Sequence, residues 1–417
     1  MQIKRESYLS EIRPYMGAPF IKILTGIRRS GKSTILEMIR DELLASGVKG
    51  EDVVYLNLEL ESDTINTVRK FSNTVKSRIE GKEKTYLLLD EVQNLPGWER
   101  AVNTFFAGKR TEIFITGSNS KLLASEFATL LSGRYVQFTV RTLSFAEYRA
   151  FVQGFASFAG FVPNGEKNDS RDIDTCIWNY IRLGGFPAIH YFQDMNSDTI
   201  YKAVSDIFST VVLKDVMQRN NIRNTDMLER LVRFLFDNVG RLFSARSIAD
   251  YFKNQKRKVS VDTVLEYISA LEAAYIIEKA QRFDIKGKKL LNVQEKYYIA
   301  DVSFIHAILG YSDDRLAGVL ENIVYTELRR RGYEVFVGEY EKFEIDFVCT
   351  RRSERLYVQV TYMINNDPKV MEREFGNLLK IPDQYPKYVV SLEKNRSASV
   401  EGVKHVYLPD FLLMDEY

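Results

Sequence analysis

Two rhythms of apolar and polar residues alternate along the 417-residue chain. In its first third, the short runs FIKILT (20–25), DVVYLNLEL (52–60), TYLLLD (85–90) and EIFITG (112–117) carry the apolar and β-branched residues of strands buried on both faces, and YVQFTV (135–140) alternates. Between them lie stretches with apolar residues three and four apart. STILEMIRDELLAS, for example, sets Ile35, Met38, Ile39 and Leu43 on one helical face. Strand and helix in turn predict an α/β fold around an open parallel sheet.

Residues 144–225 keep only the helical rhythm, in SFAEYRAFVQGFASF, RDIDTCIWNYIRLG and NSDTIYKAVSDIFSTVVLKDVMQR, as a small helical lid would. Three further helices follow from Asp226, with Ser244 as the N-cap of ARSIADYF, and then a hairpin between Ile277 and Asp301. The last hundred residues order themselves as helix LENIVYTELRRRG, strands YEVFVG, KFEIDFVCT and RLYVQVTYM, helix DPKVMEREFGNLLKI, strand KYVVSLE, and KHVYLPDFLL. The most loop-like segment is VPNGEKNDSRD, 162–172.

Chemistry enters at KILTGIRRSGKST, residues 22–34. A loop that holds a triphosphate needs backbone N–H groups unobstructed by Cβ atoms, a cation for the outer phosphates and a hydroxyl for magnesium. Gly26 and Gly31 supply the first, Lys32 the second and Ser33 the third, with Arg29, Ser30 and Thr34 completing the loop between a buried strand and a helix N-terminus. A second strand should then bring a carboxylate to the metal. Asp90 ends TYLLLD in that role, and Glu91 is placed to deprotonate the attacking water. EIFITGSNS ends in Ser118 and Asn119, beyond the carboxyl end of a strand where a ligand sits in such sheets. Either could sense the γ-phosphate or align the water, with a helix N-cap as the competing role. Arg134 follows the helical SKLLASEFATLLSG; it is placed to stabilise a transferred phosphoryl group in a neighbouring subunit, or to pair with a local carboxylate.

A net charge of +2 provides no global basic field, so any nucleic-acid surface must be a local patch. Two distant cysteines suggest neither a disulfide framework nor a cysteine-built zinc site. The charged N-terminus lacks an apolar core of signal-peptide length, and no run approaches the ~20 apolar residues of a membrane span. A soluble, cytoplasmic protein is expected.

Gly26, Arg28, Arg29, Gly31, Lys32 and Ser33, then Asp90-Glu91-Val92-Gln93, Thr116-Gly117-Ser118, Gly133-Arg134 and LSFAEY, resemble an AAA+ type ATPase core. The closer likeness is to archaeal and bacterial ATPases whose loop reads Gly-x-Arg-Arg-x-Gly-Lys. The resemblance implies ATP and Mg2+ as ligands, Asp90 on magnesium, Glu91 as catalytic base, Ser118 as first sensor and Arg134 as an arginine finger, with oligomer or partner contacts governing turnover. LGGFPAIH resembles the Gly-x-Pro element in the lid of signalling NTPases, which would lay Pro187 against the nucleotide base; a helix-breaking turn is the competing reading.

The stretch from Asp226 resembles a winged helix domain. Its reading helix carries Asp262, Glu266 and Glu272 with no Lys or Arg. The basic residues lie beside it, at Lys253, Lys256, Arg257 and Lys258, and in the wing, at Arg282, Lys286, Lys288 and Lys289, where they could touch a DNA backbone or a protein partner. The last hundred residues resemble the restriction-endonuclease-like fold. Glu321 and Asp346 match its first two acidic positions, with Glu344 as a substitute ligand on the same strand face. Gln359 and Thr361 stand where Glu-x-Lys should be, so the fold is expected without nuclease chemistry. With RLGGFPAI, VVLKDVMQR, KYYIADVSF, LENIVYTEL and EIDFV, the chain resembles nearly throughout a prokaryotic ATPase family with a C-terminal domain of unknown function.

The expected parts are an ATPase core at 1–143, a helical lid at 144–225, a winged helix domain at 226–305 and a nuclease-like domain at 306–417. The expected activity is Mg-dependent ATP hydrolysis that moves the later modules. The alternatives are a slow nucleotide-gated switch and, less in keeping with Gln359 and Thr361, a metal-dependent nuclease.

Overall fold

A computed structural model describes residues 3–120, 133–154, 172–192, 197–364, 368–394 and 399–417. The expected helix after Ser120 and nearly all of the loop at 162–172 lie outside the described residues. The chain forms two compact units, Met1–Thr142 with Ala273–Tyr275, and Leu143–Glu272 with Ile276–Tyr417.

The first unit is a five-stranded, all-parallel sheet in the order β2-β3-β4-β1-β5. Its strands are β1 (Ile21–Thr25), β2 (Val53–Asn57), β3 (Thr85–Asp90), β4 (Thr111–Gly117) and β5 (Tyr135–Thr139). Alternation along each strand divides the core between two faces. Ile23, Leu87, Leu89, Ile113 and Ile115 pack against Phe71 and Val75 of α3 (Val68–Ile79) and Val102 and Phe105 of α4 (Trp98–Ala107). On the other face Leu24, Leu88, Phe114 and Phe138 pack against Leu9 and Ile12 of α1 (Glu6–Ile12) and Ile35, Leu36, Ile39 and Leu43 of α2 (Lys32–Ala45). Parallel register fixes what these layers present: Asn57 pairs with Asp90, while Thr25 pairs with both Gly117 and Thr139. The carboxyl ends of all five strands therefore open at one edge.

The second unit begins with helices α5 (Phe145–Gly154), α6 (Ile173–Leu183) and α7 (Ser197–Val211). The VVLKDVMQR motif, expected as plain helix, winds as a π-helix over Val212–Gln218 and buries Asp215. Next come α8 (Thr225–Asp237), α9 (Ala245–Asn254) and α10 (Val261–Ala273). Ser244 caps α9 in a reciprocal box with Ser247. The hairpin β6 (Ile277–Asp284) and β7 (Lys289–Ile299) leads to α11 (Val302–Leu309) and α12 (Leu316–Arg330).

The hairpin expected as a wing is hydrogen-bonded into the same seven-stranded sheet as the strands that follow, in the order β12-β11-β10-β9-β8-β6-β7. These are β8 (Glu334–Tyr340), β9 (Phe343–Arg351), β10 (Glu354–Val360), β11 (Lys387–Ser391) and β12 (Lys404–Tyr407). The Gly-Gly turn of LGGFPAIH meets the Asp of KYYIADVSF. Asp301 accepts from Gly185 N at 2.9 Å through one oxygen and caps α11 through the other, and a Cβ on Gly184 would lie 1.9 Å from it. No helix among the described residues is long and apolar enough to cross a membrane.

Candidate functional site

The loop after β1 turns on backbone that few side chains tolerate. Gly26 (φ 140°), Arg29 (φ 65°) and Gly31 (φ 97°) all lie at positive φ. A Cβ on Gly26 would sit 2.1 Å from Val140 O, so this glycine is also required by the strand beside it. Ser30 is buried, its Oγ without a hydrogen-bond partner among the described residues, and its carbonyl accepts from Arg5 at 2.7 Å. Lys32 opens α2 with its side chain buried; Nζ donates to Gly26 O and Ile27 O, each at 3.0 Å, and stands 4.0 Å from Glu91 Oε1.

Ser33 and Asp90 lie 57 residues apart in sequence, yet Ser33 Oγ donates to Asp90 Oδ1 at 3.0 Å. Asp90 is wholly buried. Its Oδ1 also accepts from Thr116 Oγ1, and its Oδ2 from Asn57 Nδ2 at 2.8 Å and Tyr55 OH at 3.2 Å. Burial, then the charge of Asp90, holds the Tyr55 phenol above its usual range, so it stays a donor. All four of these donors are neutral. A buried carboxylate whose donors are all neutral is suited to a hard divalent cation, with Ser33 as a neighbouring oxygen ligand. Loop and donor set thus fit a magnesium–nucleotide pair.

Glu91 is a non-glycine residue in left-handed backbone (φ 55°), pinned there because its N–H donates to Thr116 Oγ1 at 2.9 Å. Gln93 Nε2 bonds to the Glu91 carboxylate and, at 3.3 Å, to Ser118 Oγ. Ser118 and Asn119 are both buried at the end of β4. Lys32, Ser33, Asp90, Glu91 and Ser118 are thereby gathered at one edge of the sheet.

Arg134 is not gathered with them. It precedes β5, where its carbonyl accepts from Ile21 N at 2.8 Å, at the strand ends opposite the loop. Its exposed guanidinium lies 3.4 Å from Asn103 Oδ1 and lines a cleft of about 730 Å3 with Lys84, Lys109 and Arg110. A finger role for Arg134 therefore requires another subunit's nucleotide. Pro187 belongs to the second unit, at the start of the short 3-10 helix Pro187–Tyr191.

The site also uses Tyr55, Asn57, Gln93 and Thr116, to which the sequence reading assigns no role. One signal was available: Asn57 ends an apolar strand as Asp90 and Ser118 do.

Comparison with known proteins shows what the chain is similar to. Residues 18–149 match the AAA domain family, and residues 175–315 match a domain of unknown function, DUF8612. The chain is 35% identical over 413 residues to an uncharacterized protein of Haemophilus influenzae, covering 99% of this chain and 98% of that protein. An uncharacterized protein of Methanocaldococcus jannaschii is 28% identical over 362 residues, 85% of this chain and 77% of its own length. Among solved structures, the Walker-type ATPase PABY2304 of Pyrococcus abyssi matches with a TM-score of 0.51 at 14% identity, over 74% of this chain and 96% of that one.

Proposed function

Because the chain belongs to this family of P-loop, AAA-domain proteins with a C-terminal domain of unknown function, we propose that it is a magnesium-dependent ATPase whose nucleotide state changes the pose of its C-terminal modules. The observation that carries the reading is the meeting of Ser33 with Asp90, beside Lys32 and Glu91.

In this proposal the backbone of 26–31 and Lys32 receive the phosphates, with Arg29, Ser30 and Thr34 shaping the loop and Pro187 meeting the base. Ser33 and Asp90 hold the metal. The metal they would hold would supply positive charge against that developing on the phosphates. Glu91 orients and deprotonates the attacking water, and Ser118 senses the γ-phosphate and is linked to Glu91 through Gln93 Nε2, which bonds to both. Arg134 reaches the nucleotide of a second copy in a homo-oligomer.

DNA or a protein is the object of the motion. The expected wing cations are partly spent within the chain, Arg282 on Glu339 and Lys286 on Glu341, and Arg257 pairs with Asp226. Exposed Lys253, Lys256, Lys258, Lys288 and Lys289 remain for phosphate contacts that read no bases. Cys176 and Cys349 are buried thiols, which suits a reducing, cytoplasmic setting.

A second reading, a slow nucleotide-gated switch, is favoured by the bond from Gln93 to Glu91, which engages the carboxylate that must accept the water's proton. Steady-state ATP turnover against protein concentration, with and without duplex DNA, separates the two. Turnover that rises with DNA or concentration supports the first, and retained nucleotide with negligible turnover the second. In the same assay Lys32→Ala abolishes nucleotide binding, whereas Glu91→Gln keeps binding and stops hydrolysis. Equal loss of both on Glu91→Gln refutes the assigned base.

A further inference from the structure

Away from the phosphate loop, the second unit holds a denser cluster of charge. Lys296 of β7 has its side chain almost fully buried, and its Nζ lies 2.8 Å from Glu321 Oε1 of α12, 2.8 Å from Glu344 Oε1 and 3.5 Å from Asp346 Oδ1, the last two on β9. Glu321 Oε1 also accepts from Tyr298 OH at 2.6 Å, and Asp346 Oδ2 from Val360 N at 2.8 Å. The three acids that resemble nuclease metal ligands thus converge on a side-chain ammonium. Burial works to lower the Lys296 pKa, but Glu321, Asp346 and Glu344 outweigh it and hold the pKa above its ordinary value, so the group stays charged.

The neighbouring groups are engaged elsewhere. Gln359 Oε1 accepts from Asp346 N at 2.8 Å, which turns its only good metal donor into the backbone. Glu374, buried close by, pairs with Arg373 through Oε1, and its Oε2 has no hydrogen-bond partner among the described residues. Among the described residues no group of three or more His, Cys, Asp and Glu side chains is arranged to hold a metal.

We propose that Lys296 is the built-in cation of this site: its ammonium stands among Glu321, Glu344 and Asp346 where a divalent ion would otherwise be bound, and makes the nuclease-like sheet a metal-independent module. Two independent features carry the assignment. A buried ammonium within 3.5 Å of three carboxylates leaves no separation at which a second cation could share them without strong repulsion. The same three carboxylates carry the hard oxygen donors that Mg2+ and Mn2+ prefer; as they stand they are not set around a metal, and removing the ammonium should let them close on either ion. The proposal stands whether or not the phosphate loop hydrolyses ATP.

The test uses the full chain with Asp90→Asn in every arm, which silences the phosphate-loop metal position, and Mn2+ as the probe, titrated by EPR. The Asp90→Asn parent is expected to bind no Mn2+ in a manner that depends on Asp346, and its melting temperature should not change with Mn2+ or EDTA. Adding Lys296→Ala should create one Mn2+ site, tighter by about tenfold or more than anything in the parent and lost again on Asp346→Asn. Lys296→Ala with Glu344→Gln carries less unpaired charge and serves if the single change fails to fold; it should show the same gain more weakly. Mn2+ uptake by the parent that disappears with Asp346→Asn overturns the proposal, as does a folded Lys296→Ala chain, with or without Glu344→Gln, that gains no site.

Discussion

Thr116→Val isolates the contact on which the proposed catalytic base depends. Thr116 is wholly buried, and its hydroxyl accepts from Glu91 N while donating to Asp90. Valine fills nearly the same volume, so the change deletes two hydrogen bonds and leaves no cavity. The Glu91 N–H then has no partner in a buried place, which costs about 1–3 kcal/mol, and Asp90 loses one charge-assisted bond worth a further ~1.5–3 kcal/mol. Part of this is recovered as Glu91 relaxes from its left-handed backbone, a strain of about 1–3 kcal/mol. The net expectation is a loss of roughly 1.5–3 kcal/mol of stability by those terms.

That relaxation is also the catalytic defect. A misplacement of about 1 Å at a reacting group costs on the order of 100-fold in rate, whereas Lys32 and the loop backbone are untouched. Denaturant unfolding should show the stability loss. Turnover should fall about 100-fold while the affinity for a fluorescent ATP analogue stays close to that of the parent. Thr116→Ser, which keeps the hydroxyl, should restore most of both. Parent-like turnover in the valine variant, or a serine variant as impaired as valine, refutes the idea that this hydroxyl positions Glu91.

Two further expectations concern groups outside that contact. Arg134→Ala should slow turnover without weakening ATP binding, and the defect should be complemented by mixing with a Lys32→Ala chain that retains Arg134; unchanged turnover removes the finger role. His306 is buried with Nε2 donating to Ile181 O at 3.1 Å, and burial pushes its pKa down to about 4 from 6.5. As pH falls from 6.5 to about 4, the unfolded chain takes up a proton that the folded chain refuses, so stability is full above this window and lost through it, by about 3 kcal/mol at most. Equilibrium unfolding at a series of pH values should show that slope, and His306→Gln should flatten it.

How much of this could be read from sequence depends on how local each feature is. The phosphate loop and the Asp90–Glu91 pair are each a strand followed at once by its chemistry, so apolar runs and punctuation reveal them. Thr116 and Asn57 act only because β3 lies between β2 and β4, a neighbour relation set by two crossovers that no spacing encodes. The wing was legible as a hairpin but not as part of a larger sheet. Its register shifts between Gln281 and Arg282; Arg282–Asp284, beyond the break, pair with β8, and Lys296, opposite Ala280 before it, meets acids 25 and 50 residues further on. Alternation did place Glu344 and Asp346 on one strand face, and what they face there was invisible without the fold.

The two acidic clusters show opposite answers to one electrostatic problem. A carboxylate removed from water costs several kcal/mol unless a cation or a full set of donors compensates it. At Asp90 the compensation comes from the hydroxyls of Ser33, Tyr55 and Thr116 and the amide of Asn57, and none of these four partners brings an opposite charge. At Glu321, Glu344 and Asp346 a lysine ammonium supplies the opposite charge from within the chain. Lys32, beside the first cluster, instead directs donors to Gly26 O and Ile27 O and stands 4.0 Å from Glu91. A resident ammonium cannot leave with a reaction product, whereas magnesium can enter and leave with the nucleotide it accompanies. The cluster with neutral donors is therefore the one that suits the proposed turnover, and the cluster with its own lysine suits the proposed role of a built-in cation between sheet and helix.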